Sequence, residues 1–169
     1  MSPESRLRAV AILAAAAGAI GMVGGQAIDL AAAGRVPHVE TIPMDRSALE
    51  DMHARKTGAL IRAAATMGAV AAGADAPTVA AVDAFARELG LAFQIIDDLL
   101  DVEGSDAELG KTPGKDAAAS KPTYPALHGV DASRRLAADC VARGKATLAD
   151  AALGGRLADI ADWSLTRRR

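Results

Sequence analysis

Residues Phe93–Asp101, FQIIDDLLD, place three aspartates in an otherwise apolar helical pattern. At 3.6 residues per turn, Asp97 and Asp101 lie one turn apart, and Gln94 lies one turn before Asp97. Asp98 is one position further round and also has Gln94 four residues behind it. The spacing therefore predicts three carboxylates and one amide on one side of a helix.

A divalent cation is the simplest compensation for these carboxylates. Like charges one turn apart destabilise a helix, unless something positive lies between them. Mg²⁺ prefers carboxylate oxygens, keeps several waters, and takes other oxygens from a bound phosphate. A solvated acidic helix face is the alternative, and the aspartates alone leave both interpretations open.

The composition of the whole chain predicts an all-α fold. Alanine makes up about a quarter of the 169 residues, while Phe, Trp and Tyr together make up 2%. Alanine is the strongest helix former and lets helices approach closely, whereas sheets need β-branched and aromatic residues. We therefore expect one domain, residues 1–169, built as an antiparallel helical bundle.

Charge and cysteine content exclude several classes of function. A net charge of −2 argues against a nucleic-acid partner bound through a broad basic face, and the arginines at 167–169 are interpreted as a solubilising tail. Cys140 is the only cysteine in the chain, so no intrachain disulfide can form. This fits a cytoplasmic location.

The N-terminal stretch between Arg8 and Asp29 contains 20 uncharged residues, AVAILAAAAGAIGMVGGQAI. That length is compatible with a membrane helix or a signal peptide. The stretch is mostly Ala and Gly, however, includes Gln26, and runs directly into an aspartate. We expect a water-soluble helix buried among other helices, with no stable membrane insertion.

The remaining chain alternates apolar helical patterns with Gly- and Pro-rich breaks. Residues 34–44 and 104–123 are predicted to be loops. Caps and periodicity predict helices over about 3 to 30 or 33, from Asp45 or Ser47 to about 73, and over about 76–102, 124–128, 132–152 and 156–166.

Lysines near the aspartates suggest a phosphorylated ligand. Lys56 and Thr57 lie on the second long helix, and Lys111, Lys115 and Lys121 follow the aspartates in the long loop. Mg²⁺ together with lysine ammonium groups is what a diphosphate requires. For any single lysine, a solvated surface charge is the alternative.

Four blocks, in order and at matching spacing, resemble the isoprenyl (polyprenyl) diphosphate synthases, and among them the bacterial farnesyl-type enzymes. They are GMVGGQAIDL (21–30), MHARKTGALIRAA (52–64), FQIIDDLLDVEG (93–104) and LGKTPGKDAAASKPTYPAL (109–127). The resemblance implies helices around a deep central cavity. It also implies an Mg²⁺-dependent condensation of an allylic diphosphate with isopentenyl diphosphate.

The resemblance also implies roles for individual residues. Asp97, Asp98 and Asp101 match the family's second aspartate-rich motif, with Asp97 the expected direct metal ligand. The other expected site residues are the diphosphate-binding Lys56, Lys111 and Lys121, the cation-facing Thr57 and Gln94, and the cavity-wall residues Gln26 and Asp29. Lys115, His38, His53 and His128 are expected to be structural or exposed.

Part of the family pattern has no counterpart in this sequence. The family has a first aspartate-rich motif followed by arginines, and an N-terminal basic cluster for isopentenyl diphosphate, whereas Asp97-Asp98 is the only Asp-Asp pair here. We expect the C-terminal half of a synthase bundle, with little activity alone and an apolar face that a missing N-terminal half or a second copy covers. A non-catalytic accessory subunit of a heteromeric synthase is the alternative.

Overall fold

The computed structural model describes residues 1–103 and 123–167, and these contain helices and no strand, which confirms the all-α prediction. In chain order the elements are α1 (Pro3–Ala17), α2 (Met22–Ala32), α3 (Arg46–His53), a π-helical turn (Ala54–Gly58), α4 (Ala59–Ala71), α5 (Ala76–Glu103), α6 (Tyr124–His128), α7 (Val130–Asp150) and α8 (Arg156–Thr166).

The 28-residue helix α5 is the centre of the fold and packs against α4 on one side and α7 on the other. Its apolar residues recur at helical spacing, so that Phe85, Ile95 and Leu99 are almost completely buried. The residues around the aspartates are thus fixed by the main core of the molecule.

Side-chain caps begin several helices where the sequence predicts them. Ser2 accepts a hydrogen bond from the backbone N–H of Ser5, and Asp45 accepts one from Ala48 at 2.8 Å. Asp45, and not Ser47, is therefore the cap of α3. Thr123 caps α6 in the same way.

The prediction of one N-terminal helix to residue 30 or 33 is wrong, because the chain turns at residues 18–21 and forms α1 and α2. Gly18 ends α1, and Gly21 precedes α2. Glycine weakens a helix interior. A β-carbon on Gly21 would lie 2.1 Å from the carbonyl oxygen of Ala16, so the turn requires glycine there.

The prediction that this segment is buried among other helices is also wrong for α1, where none of the described residues is buried. Helix α1 packs against α4, and its other side exposes Leu7, Val10 and Leu13. By length and composition the span Pro3–Ala32 could cross a bilayer, with mean hydropathy 1.9 and 6% of the window buried. Core helices and signal sequences pass the same test.

The second predicted helix extends from α3 to α4, but it is interrupted by the π-helical turn, which the sequence did not reveal. Two close approaches surround this turn. A β-carbon on Gly25 would lie 2.3 Å from the backbone nitrogen of Lys56, and one on Gly90 would lie 3.1 Å from the α-carbon of Gly58. Glycines therefore bring α2 and α5 against the turn.

Candidate functional site

The π-helical turn carries two predicted site residues, Lys56 and Thr57. Turns of this kind insert one extra residue per turn and re-aim the side chains that follow, and they are frequent at functional sites. Here the two side chains point in different directions, Lys56 to α2 and Thr57 to α5.

Lys56 forms a part-buried ion pair with Asp29 of α2, with 2.6 Å between Nζ and Oδ2. Their side chains are 29% and 12% exposed, so the pair is shielded from water more than a surface salt bridge. Gln26 lies on the same helix and is half-buried. Asp29 thus fixes the ammonium group at the edge of the site.

A chain of hydrogen bonds links Thr57 to α6 through α5. The Thr57 hydroxyl donates to Gln94 Oε1 at 2.9 Å, and Gln94 Nε2 donates to Asp98 Oδ1 at 3.0 Å. The backbone N–H of Tyr124 donates to Asp98 Oδ2 at 3.0 Å. Gln94 and Asp98 are both buried.

The direction of this chain determines which atoms Thr57 can present. An ionised carboxylate only accepts hydrogen bonds, so Asp98 requires the NH₂ end of the Gln94 amide. The carbonyl end of Gln94 then faces Thr57 and accepts its proton. Thr57 therefore presents oxygen lone pairs, and no proton, to any other neighbour.

The three aspartates do not form one cluster. Asp98 is 5% exposed and anchors α6, while the Asp97 side chain is 58% exposed and lies 3.2 Å from the guanidinium of Arg167. Within residues 1–103 and 123–167, no group of three or more His, Cys, Asp or Glu side chains is arranged to hold a metal ion.

Asp101 nevertheless provides an unsatisfied oxygen next to Asp97. Its Oδ2 is buried and has no hydrogen-bond partner among the described residues. A buried carboxylate oxygen without a partner is costly unless a cation or water satisfies it. Because Mg²⁺ in phosphate sites often uses only one or two carboxylates, Asp97 and Asp101 fit that ion.

An apolar cavity of about 560 Å³ opens beside Lys56 and Thr57. Its walls come from α4, α5 and α8, and include Leu60, Phe93 and Trp163. Volumes of this order are typical of small-molecule sites. The cavity can take a hydrocarbon chain whose polar end lies near the π-helical turn.

The other predicted residues are three lysines and three histidines. Lys111, Lys115 and Lys121 fall outside the described residues. His38 is exposed, and the rings of His53 and His128 lie 5.6 and 6.0 Å from the ring of the buried Tyr124, measured between centroids. These two histidines therefore pack beside the first residue of α6.

Sequence reasoning missed three residues. Arg167 was assigned to a solubilising tail, yet its side chain is 6% exposed and contacts Asp97. The backbone N–H of Tyr124 donates to Asp98, and Trp163 lines the cavity. The available signal was the four-residue spacing of Trp163 and Arg167, where Arg167 directly follows the last helix.

Solved structures with the same fold define the class of protein. The chain aligns over 98% of its length with a polyprenyl synthase from Caulobacter crescentus CB15 complexed with calcium and isoprenyl diphosphate, at TM-score 0.80, 27% identity and 61% coverage of that chain. A geranyltransferase from Helicobacter pylori complexed with magnesium and isoprenyl diphosphate aligns at TM-score 0.77, 28% identity, with 98% and 52% coverage. These neighbours are helical isoprenyl synthases.

The family assignment follows from the sequence match. The model of the family described as "Polyprenyl synthetase" matches residues 2–152, and the chain therefore belongs to that family. It is 47% identical to the farnesyl diphosphate synthase of Escherichia coli K12 over 142 residues, which is 83% of this chain and 45% of that protein. The dimethylallyltranstransferase of Fischerella ambigua is 41% identical over 98% of this chain and 46% of its own length. The chain spans about half the length of these curated relatives.

Proposed function

We propose that this chain provides the allylic-diphosphate half-site of an Mg²⁺-dependent prenyltransferase that condenses an allylic diphosphate with isopentenyl diphosphate. The observation that carries the proposal is the position of Lys56 and Thr57 beside an apolar cavity of about 560 Å³, with a hydrogen-bond chain from Thr57 through Gln94 to Asp98. The cavity would take the prenyl chain, and the polar edge would take the diphosphate.

The proposal gives each site residue a role, and the described contacts of Lys56, Thr57 and Gln94 support theirs. Lys56, fixed by Asp29, would bind the diphosphate together with Lys111 and Lys121, and Gln26 would support the same wall. Thr57 presents lone pairs toward the cavity, which suits an electron-poor allylic carbon, and Gln94 maintains that orientation. Asp97 and Asp101 would bind Mg²⁺, while Asp98 positions Gln94.

The metal would neutralise charge that develops on the departing pyrophosphate. Interactions that strengthen only as the leaving group departs accelerate the reaction most. The chain would contribute by holding its polar groups in position before the substrate binds. The ion pair of Lys56 and the hydrogen bond of Thr57 hold these two side chains in that way.

Turnover is proposed to require more than these 169 residues provide. The sequence has one aspartate-rich motif of the two in the family pattern. The exposed apolar residues of α1, α2 and the turn between them, including Leu13, Ile20 and Val23, would be covered by a homodimer partner or by an N-terminal half. The intact Asp97, Asp98 and Asp101 favour an enzyme component over an accessory subunit.

We also propose that the chain functions in the aqueous cytoplasm. The span Pro3–Ala32 is long enough to cross a bilayer, but it consists largely of Ala and Gly, which gain little from lipid, and a turn at residues 18–21 interrupts it.

The test uses Trp163, the only tryptophan, which lines the cavity. A geranyl thiolodiphosphate, an allylic diphosphate analogue that reacts slowly, should change Trp163 fluorescence in the presence of Mg²⁺. Lys56→Met should weaken its binding about tenfold, since one charge-assisted contact is lost. Lys145→Met, which removes an exposed lysine paired with Asp162, should leave it unchanged. No binding of the analogue, or equal effects of the two variants, would refute the proposal.

A further inference from the structure

Arg167 lies against the proposed metal ligand rather than in solvent. Its Nη2 is 3.2 Å from Asp97 Oδ1 and donates to the backbone carbonyl of Phe93 at 3.1 Å. Its guanidinium carbon lies 3.9 Å from the centre of the Phe93 ring. Only 6% of the Arg167 side chain is exposed.

These contacts describe a specific cation site for a guanidinium. A planar guanidinium stacks on an aromatic face and pairs with a carboxylate at the same time, and burial strengthens both interactions. The aromatic ring and the carbonyl come from Phe93, one turn before Asp97 on α5. The same turn of α5 therefore supplies the carboxylate, the backbone carbonyl and the aromatic ring that the guanidinium contacts.

The position is significant because a metal ion bound to Asp97 and the guanidinium of Arg167 would lie close together and repel each other. We propose that Arg167 is a positioning residue, which rests on the proposed metal site: its guanidinium occupies the cation position of Asp97 in the metal-free chain, and Mg²⁺ binding displaces it. Metal binding and release of the C-terminal end of α8 are then the same event.

Two consequences follow by linkage. A contact that must break before the metal binds lowers metal affinity, so removing Arg167 should strengthen metal binding. The end of α8 should also move when metal binds to the wild-type chain. The fluorescence of Trp163 should report this movement, because the backbone carbonyl of Trp163 accepts a hydrogen bond from the backbone N–H of Arg167 at 3.0 Å.

The experiment measures Mn²⁺, a paramagnetic substitute for Mg²⁺, by electron paramagnetic resonance on the full chain without any diphosphate. Arg167→Gln should bind Mn²⁺ about tenfold more tightly than wild type, the size expected when one competing charged contact is lost. Arg156→Gln is the matched control, since it removes the same charge about 16 Å away at the other end of α8. Its affinity should equal that of wild type.

A second readout distinguishes displacement from a change in local charge. Mg²⁺ should change Trp163 fluorescence in wild type and leave it unchanged in Arg167→Gln, where the helix end is already released. Arg167→Lys keeps the charge but loses the planar contact with Phe93, so it should lie between the two. Circular dichroism establishes that each variant is folded.

The outcomes separate this inference from the metal site itself. Equal or weaker Mn²⁺ binding by Arg167→Gln would overturn the displacement while leaving the metal site intact. The same tightening in Arg156→Gln would overturn it too, because long-range charge would then explain the effect. Failure of both wild type and Arg167→Gln to bind Mn²⁺ would overturn the inference together with the proposed metal site.

Discussion

The hydroxyl of Thr57 donates a 2.9 Å hydrogen bond to the side-chain carbonyl of Gln94, and this contact joins the π-helical turn to α5. The amide of Gln94 cannot turn over, because its other end donates to Asp98. A buried carboxylate thus determines, through one amide, the direction of a hydroxyl proton at the edge of the cavity.

Gln94→Glu should destabilise the fold in a pH-dependent way. The introduced carboxyl would face the buried Asp98, so the repulsion raises the pKa of the new group above the roughly 4.3 of a free Glu. Because the pKa of the new carboxyl is higher in the folded state than in the unfolded chain, the variant is most stable below a pH of about 4.3. Its stability falls as the pH rises from there through the folded pKa. We expect a loss of about 2–3 kcal/mol at pH 7 and a smaller loss at pH 4, measured by urea unfolding.

Gln94→Met is the control for this prediction, because it removes the same hydrogen bonds without adding charge. Its destabilisation should be nearly the same at pH 4 and pH 7. Equal pH dependence of the two variants would mean that Gln94 does not contact an ionised Asp98.

Gly25→Ala should destabilise the chain by about 2 kcal/mol or more, because its β-carbon would lie 2.3 Å from the backbone of Lys56. Gly68→Ala is the matched control within α4, where nothing lies within 4 Å of an added β-carbon. Alanine there should stabilise the helix by roughly 0.5–1 kcal/mol. Thermal unfolding of both variants measures the difference, and a neutral Gly25→Ala would contradict the close approach of α2.

Asp29→Asn should cost about 1–2 kcal/mol of stability, since it leaves the ammonium of Lys56 without its carboxylate in a part-buried position. Asp51→Asn breaks an exposed pair with Arg55 along one helix and should cost under about 0.5 kcal/mol. Chemical unfolding at low and high salt compares the two. Equal losses would show that the Lys56–Asp29 pair is no more shielded than a surface pair.

Burial raises the pKa of the Cys140 thiol to about 11, from an ordinary value of 9.0. Between these values the unfolded thiol loses its proton while the folded one keeps it, so the folded state loses stability as the pH rises through this window. Cys140→Ala should lack this part of the alkaline loss. Unfolding free energies of both proteins between pH 8 and pH 10 measure it, and parallel curves would argue against a buried thiol.

Most of the helices could be predicted from local signals in the sequence. Asp45 and Thr123 are effective caps, and the periodicity of α5 is strong because one face of it is the core. The break at Gly18 was harder to see, because a glycine within an alanine-rich run permits a turn without requiring one. No local residue pattern marks the π-helical turn, because the turn depends on the packing of α2 and α5 against it.

Residue types indicated which side chains to expect at the candidate site, but helical spacing did not give their arrangement. Thr57 and Gln94 were expected at one site and are in direct contact, whereas Asp98, which spacing groups with Asp97, is buried and accepts a hydrogen bond from the start of α6. Helical spacing alone cannot tell which aspartate of an acidic cluster is buried, because burial depends on later segments of the chain that pack against the helix. Arg167 was missed for the same reason, being 70 residues from Asp97 in sequence.

The most direct test of the account is calorimetric titration of inorganic pyrophosphate, with and without Mg²⁺, into wild type and two aspartate variants. If Asp97 holds Mg²⁺ for a diphosphate, binding should require Mg²⁺ and be at least tenfold weaker in Asp97→Asn. It should be unchanged in Asp150→Asn, where the exposed aspartate lies at the end of α7. Pyrophosphate binding that is independent of Mg²⁺, or equal in the two variants, would contradict this role of Asp97.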